Sequence, residues 1–292
     1  MSNWLRRVLT MVAVLVVALM GAPALGAVAQ PTPQLPLGGR HIYLHYRVVA
    51  FYGAPGGPGL GVLGKGTAEQ AARAVLAQAK AYRGYGRAVQ PAMELIASVA
   101  QANPGADGKY STLEPDAAID PYLAAAHRHK MLLILDFQPG RGSFLPQVQH
   151  YAKYLADPWV GVGLDPEWKV GPTQVPGAVI GSASAASINQ VSDYLARLTT
   201  RLNLPQKLFV VHEFTSRMLP DRSNIRRHPG LALTFQADGH GNQAVKKSVY
   251  AGLNFPTASA AGFKLFYTQD TGLMTPKQVM ALPRRPDLVT YE

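Results

Sequence analysis

The sequence predicts an α/β protein: a closed (β/α)8 barrel of parallel, TIM-type strands, with the last helix short or missing. Three observations carry this. Eight apolar, strand-length segments recur along the chain, most of them separated by a helix-length segment. Most of these strands end, on their C-terminal side, in acids or amides. The 48% hydrophobic content, without low-complexity tracts, is enough for one large core. An open, doubly wound sheet is the alternative architecture.

The first residues read as a targeting segment. Arg6 and Arg7 precede an uncharged run, Val8 to Met20. Gly21-Ala-Pro23 then breaks the helix, and Ala27-Val-Ala29 offers a small-residue cleavage site. Residues 1–29 are therefore expected to be a signal peptide, an uncleaved anchor being the alternative. Residues 30–40, with Pro31, Pro33 and Pro36, read as an extended linker, and 41–292 as one barrel domain. The mature protein is then secreted or associated with the cell envelope, and a monomer is expected. Cysteine is absent, which removes disulfides and thiol chemistry. Residues 1–30 hold two Arg and no acid, so the remainder carries 26 basic against 17 acidic side chains, about +9. That balance favours acidic partners such as anionic wall polymers. No basic run interleaved with aromatics supports nucleic-acid binding.

In chain order, His41–Tyr52 has strand composition, most securely from Val48. Thr67 caps a helix running to about Tyr82, with Ala72, Val75, Leu76 and Ala79 on one face. Ala92–Ala100 is a strand, followed by a loop with the turn signals Asn103-Pro-Gly and Asp107-Gly. Asp116–His129 is a helix, Met131–Phe137 a strand and Phe144–Leu155 a helix. Val160–Asp165 is the fourth strand, and Ala185–Leu202 the helix beyond its long loop. Lys207–His212, Leu231–Gln236 and Phe263–Thr268 are strands, with a helix at Gln243–Leu253. Thr275–Leu282 is a short helix and Leu288–Tyr291 a closing strand beside the first. Phe214–Pro229 lacks helical periodicity.

The stretch Val160-Gly-Val-Gly-Leu-Asp165-Pro-Glu167-Trp168 organises the functional reading. On a strand, Val160, Val162, Leu164 and Pro166 face the covering helices, while Gly161, Gly163, Asp165 and Glu167 share the other face. In a barrel the C-terminal strand ends converge on one mouth. Asp136 and Gln138, Gln236 and Asp238, and Tyr267 and Gln269 share faces in pairs, and Asp270 lies beside the last. Either His212 or Glu213 faces inward, not both. Glu94 sits deeper on its strand and reads as an internal polar contact. A mouth lined by carboxylates, amides, Tyr267 and Trp168 suits a carbohydrate: acids serve as proton donor and base or nucleophile, and rings stack on sugars. The candidate catalytic residues are Glu167, Asp165, Asp238 and Glu213. The candidate substrate-binding residues are Asp136, Gln138, Trp168, His212, Gln236, Tyr267, Gln269 and Asp270.

Leu164-Asp-Pro-Glu167-Trp168 resembles the Asp-x-Glu strand of secreted (β/α)8 glycoside hydrolases, as found in family 18 chitinases and family 25 lysozymes. The resemblance implies that Glu167 is the general acid and that Asp165 orients the substrate's acetamido group. The sequence departs from the chitinase pattern at Gly161 and Gly163, where further Asp residues are expected, and at Pro166 between the acids.

Other chemistries find less support. Gly59–Gly66 nearly matches a phosphate-binding loop, but Gly66 stands where the Mg²⁺-binding hydroxyl belongs, so no nucleotide is expected. No H-E-x-x-H or G-x-S-x-G occurs. His212 with Asp136 and Asp165 could form an N/O metal set, but a hydrogen-bonded histidine is the simpler reading, and no metal or cofactor is expected. The reading is an exported glycoside hydrolase acting on a cell-envelope or extracellular glycan. The rivals are a non-catalytic glycan-binding protein on the same scaffold and a metal-assisted deacetylase.

Overall fold

The structure is a computed structural model and describes residues 32–292. The expected signal peptide lies outside the described residues. Nine strands form one sheet: β1 (Tyr46–Gly53), β2 (Ala88–Ala100), β3 (Ser111–Leu113), β4 (Leu132–Phe137), β5 (Val160–Leu164), β6 (Lys207–Glu213), β7 (Leu231–Ala237), β8 (Ala260–Leu265) and β9 (Leu288–Tyr291). β1 pairs in parallel with both β2 and β9, so eight parallel strands close into a barrel. The short β3 only extends β2, antiparallel, after the turn-rich loop.

The helices on the outside are α1 (Ala68–Lys80), α2 (Asp116–His129), α3 (Phe144–His150), α4 (Ala152–Leu155), α5 (Ala185–Arg201), α6 (Gln243–Gly252) and α7 (Pro276–Met280). Their ends follow local chemistry. Thr67 accepts from the Gln70 backbone N–H and Gln70 reaches back to Thr67, a reciprocal cap that Thr275 and Gln278 repeat at α7. The segment expected as one helix over Phe144–Leu155 is broken at Tyr151. That hydroxyl donates to the carbonyls of Ala97 and Glu114, both at 2.7 Å, which docks the break against the barrel. His41–His45, expected as strand, is instead largely a single helical turn (Ile42–His45) beneath the barrel. β8 begins three residues earlier than expected and ends at Leu265.

Two apolar layers follow from strand alternation. Val160, Val162 and Leu164 join the helices in the outer core. Inside, Val48, Ala50, Ala92, Ile134, Leu208 and Val210 fill the lower lumen, above Ile42 and Leu35. The lumen is crowded at the glycines of β5. A Cβ on Gly161 would lie 2.8 Å from the Leu208 carbonyl oxygen, and one on Gly163 would lie 2.7 Å from Asp136 Oδ1. These glycines are the space into which the neighbouring strands' side chains pack. Gly161→Ala must move backbone rather than a flexible side-chain tip. We therefore expect it to lower stability by about 1–3 kcal/mol, read as a reduced urea midpoint with unchanged slope; an unaltered midpoint would contradict this packing.

Candidate active site

Above its apolar floor the lumen becomes ionic, and every barrel strand contributes. Tyr52 comes from β1, Glu94 from β2, Asp136 from β4, His212 from β6, Gln236 from β7, Lys264 from β8 and Thr290 from β9. Asp165 stands at the end of β5, and Gln138, Asp238 and Glu292 follow β4, β7 and β9. His212 is the hub. Its Nδ1 lies 2.8 Å from Asp238 Oδ2 and 3.3 Å from Asp165 Oδ1, and its Nε2 lies 3.2 Å from Glu94 Oε1 and 3.5 Å from Asp136 Oδ2. Lys264 Nζ is the second cation, 3.1 Å from Asp238 Oδ1, 2.8 Å from Glu292 Oε2 and over the Tyr52 ring at 3.4 Å.

The lumen holds six carboxyls (Glu94, Asp136, Asp165, Glu167, Asp238, Glu292) against two cations. It cannot keep all six ionised away from water. Burial, then the neighbouring Asp165 charge, pushes the Asp136 carboxyl well above the usual range. Burial also raises Asp165, although His212 and Lys264 oppose it. Asp238 goes the other way: burial would raise it, but Lys264 and His212 more than compensate and hold it ionised. For His212 burial favours the neutral ring, but Asp165, Asp136 and Asp238 outweigh this and keep it an imidazolium well above the usual pH.

Two acid–imidazole sets, Glu94/Asp136/His212 and Asp165/His212/Asp238, have atoms close enough to share a cation. His212 belongs to both, and both its ring nitrogens already face carboxylates. A metal ligated by this histidine would have to replace the proton on one ring nitrogen.

A cavity of about 520 Å³ opens above this network. The candidates Gln138, Glu167, Trp168 and Asp238 line it, with Tyr52, Ile96, Phe214, His240, Lys264, Phe266 and Glu292. After Asp165 the chain turns into a single 3₁₀ turn, Pro166–Trp168, which carries Glu167 to the cavity wall. The turn is pinned by the returning loop: Gly181 donates to the Glu167 carbonyl at 2.7 Å and Ser182 to the Lys169 carbonyl at 2.9 Å. Any Cβ on Gly181 would run into those same carbonyls. Glu167 Oε2 is enclosed without a hydrogen-bond partner. Burial, then the charges of Asp165 and Asp238, raises its carboxyl well above the usual range.

Asp165 makes no hydrogen bond to Glu167. Its Oδ2 accepts from Tyr52 Oη at 2.8 Å and Gln138 Nε2 at 3.2 Å, so its hold on the Glu167 proton is electrostatic. Asp136, His212 and Gln236 lie in the network beneath the cavity, not on its wall. Four candidates stand apart. With His212 inward, Glu213 faces out of the barrel and pairs with Arg222 at 2.6 Å. Asp270 accepts from the Gly241 and Phe266 backbone and pairs with Lys246 at 3.1 Å, a structural role. Tyr267 stacks on Tyr291 outside the lumen, and Gln269 lies beside it in a separate rim cavity. Both displacements follow from β8: counted from Ala260, its inward series is Gly262, Lys264 and Phe266. Lys264 lies inward by the same count, and its one signal in the sequence is a lysine inside the apolar run Ala261–Phe266.

No protein-family model matches the chain, nor does any curated protein. Among solved structures, it is similar to Xanthomonas albilineans dihydropteroate synthase determined with 4-aminobenzoic acid. Identity is 11%, over 85% of this chain and 88% of that one, with a TM-score of 0.32. A likeness this slight carries no functional argument.

The ionic lumen makes stability depend on pH. Asp136, Asp165 and Glu167 have raised values in the folded state, so their contribution is complete below the unfolded value near 4 and is lost as pH rises toward the folded one. Lys207, lowered by burial to about 7, gives a constant penalty below that pH. Between pH 5 and 7 the wild-type melting temperature should therefore fall with rising pH, and Asp136→Asn should flatten that slope. A wild-type melting temperature that rises across this window would contradict the assignment.

Proposed function

We propose that the protein is a glycoside hydrolase acting on a cell-envelope or extracellular glycan, with Glu167 as general acid and Asp238 as the ionised carboxylate opposite it in function. The observation that supports this is a pair of carboxyls on one cavity whose surroundings push them in opposite directions: Glu167 up and Asp238 down. Such a split is what a proton donor and a base or nucleophile need to coexist at one pH. Asp238 carries the second role in place of Glu213, which faces away. Trp168, Phe214 and Phe266 offer ring surfaces to a sugar, and Gln138 and Tyr52 offer polar atoms. The Asp-x-Glu resemblance points to the same acid. Export rests on the composition of residues 1–29.

In this mechanism the glycosidic oxygen takes its proton from Glu167 as the bond to the anomeric carbon breaks. Asp238 meets the developing positive charge, either by deprotonating an attacking water or by attacking the carbon itself. Lys264 and His212 keep Asp238 ionised, and burial, with the acids around it, keeps the proton on Glu167 until the leaving oxygen claims it. Across a panel of wall and storage glycans, Glu167→Gln should cut kcat at least about a hundredfold and leave binding within a few-fold. The alkaline limb of the wild-type pH–rate profile should report Glu167. Unchanged hydrolysis by Glu167→Gln would overturn the assignment, and a wild type that binds a glycan without cleaving it would show a binding protein.

A further inference from the structure

The same cavity has an apolar upper wall that a sugar alone does not need. Among the described residues, eight large apolar side chains are exposed, and three of them, Leu60 (44%), Val179 (39%) and Ile180 (56%), line this one cavity. They come from two loops far apart in sequence, the Gly- and Pro-rich loop after β1 and the loop that returns through Gly181 to the Glu167 turn. Single exposed apolar residues are ordinary on any surface; three gathered from separate loops onto one cavity are a patch. Trp168 lies in the same loop region, with its ring 3.6 Å from the position a Cβ would take on Gly177. The cavity is thus divided by polarity, with acids and Lys264 at its base and aliphatic side chains at its lip.

We propose that the substrate is amphiphilic: a glycan joined to an alkyl or prenyl arm, with the sugar seated toward Glu167 and Asp238 and the arm laid along Leu60, Val179 and Ile180. The sugar half of this inference rests on the hydrolase reading; the apolar half rests on the lip alone. The arm gains by leaving water, at a rate set by the area it buries, and the enclosed base excludes it because its carboxylates and ammonium would lose their partners. Occupant and cavity are continuous, since the lip residues and Glu167 border one space.

The test is a calorimetric binding series on the full chain below the critical micelle concentration: methyl, butyl and octyl glucosides, the corresponding N-acetylglucosaminides, and octyl tetraoxyethylene, which has no sugar. Affinity should rise about two- to fourfold per methylene over the first carbons of the arm, and the sugar-free amphiphile should bind and compete. Ile180→Asp and Leu60→Asp, both at exposed positions, should each reduce that chain-length dependence, and together abolish it. Affinity independent of chain length, or a dependence that both variants leave intact, would overturn the proposal. So would the absence of octyl-amphiphile binding. Chain-length-dependent binding without cleavage of any glycoside would uphold the apolar arm and overturn the hydrolase reading. Cleavage without chain-length dependence would do the reverse.

Discussion

The structure depends on an imidazolium placed among four carboxyl groups. His212 reaches Asp238 and Asp165 with one nitrogen and Glu94 and Asp136 with the other, and it is fully buried. These groups come from β2, β4, β6 and the ends of β5 and β7. One ring thereby ties strands on opposite sides of the barrel. A charge so enclosed is tolerated only because both nitrogens are partnered, and removing either side would leave buried charge uncompensated. The surplus of acid then decides the protonation of the rest. Asp238, claimed by two cations, stays ionised, while Asp136, Asp165 and Glu167 are driven toward their neutral forms. The difference between the two carboxyls on the cavity is therefore a property of the whole lumen, not of either residue alone.

Much of this was legible along the chain. The alternation over Val160–Asp165 separates an apolar outer face from a face of two glycines and an acid, and the barrel uses both: valines against helices, glycines as room for Asp136 and Leu208. The reciprocal cap at Thr67 and the helix over Asp116–His129 need only local chemistry, and both form where the local signals place them. Glu167 is the instructive case. Strand alternation puts it on the face of Asp165, but the strand ends first, and a 3₁₀ turn held by Gly181 brings it to the cavity by another route.

What could not be read depends on partners distant in sequence. Parity between His212 and Glu213 is set by register, with Phe209 opposite Val162, and nothing local distinguishes the two. The start of β8 is Ala-Ala-Gly, poor in β-branched residues, so local composition does not mark its first residue. A strand counted from Phe263 turns Tyr267 and Gln269 inward, whereas the strand that begins at Ala260 turns Lys264 inward. A lysine in a barrel lumen looks wrong until Asp238 and Glu292 are seen beside it. The helix break at Tyr151 is likewise a tertiary event, made by carbonyls of β2 and of the chain before α2. The division of the cavity into an ionic base and an aliphatic lip emerges only when the loops fold over the barrel mouth.

The most direct test of this account is the protonation of His212 itself. In ¹⁵N-histidine-labelled protein, with the resonance assigned by its loss in His212→Gln, both ring nitrogens should carry protons at pH 8, where an ordinary imidazole is neutral. The imidazolium shift should persist until the fold is lost. A neutral ring at pH 8, with one nitrogen unprotonated, would contradict the charge balance on which the roles of Glu167 and Asp238 rest.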